Sequence, residues 1–125
     1  MVESALSYSC RGTWSNCNRG GLVAVTRMLA DPDVARACAA ERDALRRLLL
    51  SRVARFNTLA RTRGLSYPRY EGGFFVTVFC DDGPAEALRM REMGVYVVPQ
   101  KGAVRVALCG VSEAEIPRLV EALAS

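Results

Sequence analysis

The feature that most constrains this chain is one run, Pro32 to Arg63, in which apolar residues recur every three to four positions. Val34, Cys38, Leu45, Leu48, Leu49, Val53, Phe56 and Leu59 form the stripe, and Arg and Glu fill the other faces. Asp31 supplies a capping carboxylate, Pro32 suits the first helical position, and Gly64 ends the pattern. The spacing predicts one helix of about 30 residues, ~45 Å long at ~1.5 Å per residue. A compact domain of about 100 residues has a radius of gyration near ~13 Å. A single helix of that length overruns such a body, so part of its stripe calls for a partner outside the chain. A break into two helices near Ser51 is the alternative.

The flanks read differently from one another. Residues 1–21 are rich in Ser, Gly, Asn and Cys and hold the single Trp, which predicts an irregular, loop-bearing segment. Leu22 to Leu29 reads as a short helix in preference to a buried strand, because Ala, Met and Leu suit a helix and Asp31-Pro32 stops it. Beyond Gly64, Phe74 to Phe79 is aromatic and β-branched, the pattern of a strand buried on both faces. Gly83-Pro84 opens a short helix that closes at Gly94. Val95 to Val98 predicts a second strand ended by Pro99, Gln100-Lys101-Gly102 a turn, and Val104 to Leu108 a third strand. Ser112 and Glu115 form a capping box ahead of the last helix. This alternation predicts an α/β fold, a short sheet covered by helices.

Composition excludes more than it assigns. The chain has 125 residues, half of them hydrophobic and 24 % charged, as in ordinary globular domains. Its net charge is +4, but the basic residues are scattered and Arg46-Arg47 is the only adjacent pair, so a nucleic-acid partner is not expected. No apolar run reaches the ~18 residues of a membrane span. The five cysteines (Cys10, Cys17, Cys38, Cys80, Cys109) form no CxxC, and no histidine is present to complete a zinc site. With no secretory leader in view they read as reduced thiols of a cytoplasmic protein.

Groups able to carry chemistry are few. The chain has no His for general-base work, no phosphate-binding loop and no GxSxG. Arg105 stands inside the apolar strand Val104-Arg105-Val106-Ala107-Leu108. A buried unpaired guanidinium is costly, so this arginine either faces water from an edge or is held for an anion, and its planar fork matches a carboxylate. By alternation Arg105 and Ala107 share one face, and Val104, Val106 and Leu108 the other. The segment Arg11-Gly12-Thr13-Trp14-Ser15-Asn16 either contacts a ligand or is a loop anchored by its Trp.

In order and spacing these stretches resemble the C-terminal third of class I pyridoxal-phosphate-dependent aminotransferases of the aspartate/aromatic branch. That family has an Arg-x-x-Tyr/Trp-Ser-Asn segment, matched by Arg11 to Asn16, with Gly20-Gly21 following. Its long connecting helix matches Pro32 to Arg63, its Gly-x-Phe strand Gly72-Gly73-Phe74, its Gly-Val-Tyr strand Gly94-Val95-Tyr96, and its Arg-bearing strand Val104-Arg105-Val106. Two places depart from the pattern: Cys17 and Asn18 stand where the family often has two prolines, and Lys101-Gly102-Ala103 lengthens the turn before Arg105 relative to some relatives.

The resemblance implies a fold-type-I small domain with a long connecting helix and a short mixed sheet covered by helices. Residues 1–30 would belong to the large domain and dimer interface of the parent, 31–63 to the connecting helix, and 64–125 to the small α/β domain. Arg105 would bind the substrate α-carboxylate. Arg11, reaching across a homodimer, would bind the distal carboxylate of a dicarboxylic substrate. Phe74 would line the substrate side, and Ser15 and Asn16 would approach the phosphate of pyridoxal phosphate. The family's Schiff-base lysine lies upstream of the Arg11 segment, and Lys101, the only lysine here, does not correspond to it. The chain alone is therefore expected to be inactive and to self-associate. The rival reading is a stand-alone α/β module that senses small carboxylates through Arg105; a basic nucleic-acid-binding domain is a distant third.

Overall fold

In the computed structural model, residues 2–13 and 18–125 are described. The chain forms two compact units, one running to Asp43 and the other spanning Ala44–Ser125.

The first unit holds α1 (Val2–Thr13), α2 (Arg19–Ala30) and the start of α3 (Pro32–Thr62). The helix α1 corrects the expectation of an irregular N-terminal segment. Its stretch contains no proline, Glu3 sits in the first turn and Arg11 in the last, as the helix dipole favours. The Thr13 hydroxyl turns back onto the Ser9 carbonyl at 2.5 Å, so these small polar residues are absorbed by the helix. In α2 the Asn18 side chain accepts from the Gly21 N–H at 3.1 Å and starts the helix three residues earlier than its apolar run. Asp31 then caps α3, accepting from the N–H groups of Asp33 (3.0 Å) and Val34 (3.3 Å).

The helix α3 is continuous through Ser51, as its unbroken stripe predicts. Gly64 ends it with φ 68°, and the Leu65 N–H reaches back to the Ala60 carbonyl at 3.0 Å. The same device closes α4 (Gly83–Glu92): Gly94 has φ 73° and the Val95 N–H bonds the Met90 carbonyl at 2.9 Å.

The second unit adds β1 (Phe75–Phe79), α4, β2 (Val98–Gln100), β3 (Ala103–Ala107), two short 3-10 turns and α5 (Ile116–Ala124). Strand order is β1-β3-β2, and both pairings are antiparallel rather than mixed. A two-residue turn, Lys101-Gly102, joins β2 to β3, with Gly102 at φ 70°. The second strand is shifted from its expected place at 95–98 and contains Pro99. A proline is tolerated there because β2 is an edge strand, with one side free of ladder bonds.

The core lies on one side of the sheet. Val76, Val78, Val104, Val106 and Leu108 point inward against Phe56 and Ala60 of α3, Met90 of α4, and Ile116 and Val120 of α5. Phe56 is fully buried, with the rings of Tyr67 and Tyr70 edge-on at 5.4 and 6.3 Å. Arg52 of α3 donates to the Cys109 carbonyl at 2.7 Å and ties the helix to the end of β3. Phe75 and Phe79 are half exposed, which corrects the expectation that β1 is buried on both faces. The three helices cover a single face; the other face is exposed at Phe75, Phe79 and Ala107, with Ala103 buried at its end.

Candidate functional site

Arg105 stands on the central strand and on the face away from the core. The neighbours Val104 and Val106 are buried, whereas Arg105 is partly exposed and Ala107 exposed, so strand alternation separates the guanidinium from the core. Its carbon Cζ lies 4.9 Å from the centroid of the Phe75 ring, within cation–π range. Nε is buried without a hydrogen-bond partner. Among the described residues no carboxylate pairs with this guanidinium. Three other arginines of this unit do meet carboxylates: Arg89 is held by Glu86, which keeps its pKa raised, Arg63 meets Glu121 at 3.2 Å, and Arg69 meets Glu71. Arg105 rests on an aromatic face and has no carboxylate partner among the described residues.

Around it the register sets the neighbours. Thr77 of β1 and Val98 of β2 are its direct cross-strand partners. Phe75 pairs with Ala107, one step along the same face. Ala107 also lines an open cleft of about 310 Å³ with Tyr96, Glu115 and Arg118. The arrangement offers a planar positive fork in an apolar surround, the setting in which a carboxylate is bound in bidentate fashion.

The residues expected from the sequence are distributed as follows. Phe74 precedes β1, is largely exposed and meets Phe75 ring-to-ring at 6.5 Å and 83°. Phe75, not singled out from the sequence, is the ring under Arg105, and alternation along β1 with the pairing register is the signal that could have found it. Arg11 is exposed in the last turn of α1, in the first unit. Trp14, Ser15 and Asn16 lie outside the described residues.

Burial, followed by Glu86 and the neighbouring aspartates, pushes the Cys80 thiol up, which keeps it protonated and poorly nucleophilic. Burial likewise raises Tyr70. Lys101 is exposed on the β2–β3 turn. A pyridoxal phosphate needs an amine to carry it, a partner for its ring nitrogen and donors for its phosphate. The described residues supply no such set. No described helix is long and apolar enough to cross a membrane. Among the described residues Cys38, Cys80 and Cys109 form no disulfide.

The comparisons show the family and the fold. The sequence model for aminotransferase class I and II matches residues 2–123. An aminotransferase from Anaerococcus prevotii is similar over 98 % of this chain and 30 % of its own, with 31 % identity and a TM-score of 0.89. An aspartate aminotransferase of Thermus thermophilus, a tetra mutant complexed with tryptophan, is 25 % identical over 97 % of this chain and 33 % of its own, with a TM-score of 0.73. The aspartate aminotransferase from Thermus thermophilus with maleate is 28 % identical over 78 % of this chain and 27 % of its own, with a TM-score of 0.60. No curated protein matches. The chain spans about a third of the length of these solved structures. The family works with pyridoxal phosphate. With the family model matching nearly its whole length, this chain belongs to the class I and II aminotransferases.

Proposed function

We propose that this chain is the substrate-carboxylate-binding part of an aminotransferase that moves an amino group between an L-amino acid and a 2-oxo acid. The observation that carries the proposal is Arg105: a central-strand guanidinium on the sheet face away from the core, stacked on Phe75, with a buried Nε and no carboxylate partner among the described residues. In this reading Arg105 grips the α-carboxylate and Phe74 and Phe75 shape the apolar wall beside it. Arg11 takes the distal carboxylate of a dicarboxylic substrate across a homodimer, and Ser15 and Asn16 approach the cofactor phosphate. Maleate, bound by the Thermus enzyme, is a dicarboxylate, and tryptophan in the tetra mutant is the precedent for an aromatic amino acid as the other substrate. Residues 1–30 then serve the large domain and dimer interface, 31–63 the connection, and 64–125 the small domain. The reduced cysteines go with a cytoplasmic location.

What this chain contributes is binding and orientation. Fixing the acid group at Arg105 sets the α-carbon at a defined distance and angle, which converts a bimolecular encounter into a positioned one. Pyridoxal phosphate, when bound in the parent enzyme, would supply the electron sink. The purified chain with added cofactor, amino acid and 2-oxo acid should show no turnover; turnover would refute its dependence on the rest of an enzyme. For the site, the Arg105 Nε–H resonance should shift on titration with 2-oxoglutarate and saturate in the millimolar range, about −4 kcal/mol. This magnitude accords with one or two charge-assisted hydrogen bonds of ~1.5–3 kcal/mol each. Arg105→Met should abolish binding, and unchanged binding in that variant sinks the assignment.

A further inference from the structure

The face of the sheet that bears Arg105 also bears a polar side chain directly across from it, Thr77. In an antiparallel pair, hydrogen-bonded and non-hydrogen-bonded residue pairs alternate. The Cys80 N–H bonds the Gly102 carbonyl at 3.1 Å, just past the last pair of the β1–β3 ladder. The Phe79 N–H goes instead to Ser66 (2.8 Å), which places Phe79↔Ala103 in the non-bonded class. Thr77↔Arg105 is two steps further along the ladder and falls in that class as well. Such pairs bring their side chains closest, with Cα atoms ~4.5 Å apart.

The direction in which Arg105 leans matters as much as this spacing. Its guanidinium lies over Phe75, a β1 residue, so the side chain inclines toward β1 and away from Val98 on β2. Thr77 is Phe75's neighbour on that same face of β1. Thr77 is half-buried, and its hydroxyl makes no hydrogen bond among the described residues. The other near neighbours on this face (Phe75, Ala107 and Val98) have no donor to offer. Gln100, also polar, pairs with Ala103 and is two residues removed from Val98.

From this juxtaposition we propose that Thr77 is a substrate-binding residue: its hydroxyl donates to the carboxylate that Arg105 grips and thereby sets the rotation of that carboxylate about the guanidinium. A single fork on a flat apolar face leaves the carboxylate free to tilt, and a donor on one flank only makes the seat asymmetric. The inference rests on the Arg105 reading above and adds a residue to it.

The test compares Thr77→Val, which removes the hydroxyl at nearly constant shape, with Thr77→Ser, which retains it. Each is titrated with 2-oxoglutarate and followed by the Arg105 Nε–H signal, with Arg105→Met alongside. Thr77→Val should weaken binding about tenfold, the effect of losing one hydrogen bond to a charged acceptor, and Thr77→Ser should stay within about twofold of wild type. The melting temperature of Thr77→Val should not fall, since valine suits a strand at least as well. A purely structural role for Thr77 would leave affinity unmoved in both variants. Equal affinity for wild type and Thr77→Val, with binding abolished in Arg105→Met, overturns the Thr77 inference and leaves the Arg105 reading standing. Equal weakening in Thr77→Val and Thr77→Ser also overturns it, because the hydroxyl is then not responsible. Absence of 2-oxoglutarate binding by wild type, or full binding by Arg105→Met, overturns the Arg105 reading and Thr77 with it.

Discussion

Replacing Gly83 by alanine should destabilise the Ala44–Ser125 unit, although helix propensity alone predicts the opposite. Gly83 is the first residue of α4, and alanine is preferred over glycine in a helix by up to ~1 kcal/mol. The structure reverses the sign. A Cβ at this position would lie 2.1 Å from the Gln100 carbonyl oxygen and 2.2 Å from that of Ala103. Carbon–oxygen contacts normally close to about 3.3 Å, so each falls short by roughly 1 Å. Both obstacles are backbone, on either side of the Lys101-Gly102 turn, and no rotamer change relieves them. The whole β2–β3 hairpin must move off α4, together with the strand that presents Arg105. Overpacking of this kind costs ~1–3 kcal/mol and sometimes more, and two backbone clashes put it at about 3. For a unit of roughly 80 residues, at ~4–8 °C per kcal/mol, the melting temperature should drop by about 12–24 °C. Circular dichroism melts of Gly83→Ala against wild type measure this, with Gly110→Ala, whose Cβ meets nothing within 4 Å, as the control. A Gly83→Ala melt within about 3 °C of wild type would refute the reasoning.

Three further outcomes follow from the same structure. Phe56→Ala empties the centre of the core, where the side chain is wholly buried between two tyrosine rings; a loss of ~3–5 kcal/mol is expected, read as a shift in urea midpoint, and a loss below about 1 kcal/mol would contradict the packing described. The Ser112 hydroxyl and backbone N–H, with Arg118 beyond them, hold the Glu115 carboxyl below its ordinary value, so its contribution is complete above the unfolded pKa of ~4.3 and is lost as pH falls through the lower folded value. Ser112→Ala should therefore melt a few degrees lower than wild type at pH 7, with the gap narrowing below about pH 4; a gap independent of pH would exclude this linkage. The first unit leaves Leu22, Val25 and Leu29 of α2 exposed along one helical stripe, so sedimentation of the purified chain should show mass rising with concentration and Val25→Glu should reduce the rise, whereas a clean monomer at high concentration argues against it.

Several of these features were legible in the residues alone. The 31-residue span of α3 follows from its apolar period, with Asp31-Pro32 at one end and Gly64 at the other. The face on which Arg105 stands follows from alternation with Val104 and Val106, and the Ser112–Glu115 box was recognisable from its spacing. These signals act within one turn or one strand, so a short stretch of sequence contains all of the interacting partners.

Other features were decided between segments far apart in the chain. Phe74 to Phe79 is greasy enough for two covered faces, but α3, α4 and α5 all pack on one side, so Phe75 stays half exposed and becomes the rest for Arg105. Which ring lies under the guanidinium depends on the β1–β3 register, and a shift of one residue would have exchanged the two faces of β1. Pro99 sits in a strand only because tertiary pairing makes β2 an edge. The close approach of Gly83 to the β2–β3 hairpin has no local signature, since its cause is two carbonyls some twenty residues downstream. Period and capping are properties of a segment by itself; register, coverage and close approach are properties of a pair, and only the folded chain brings the pair together.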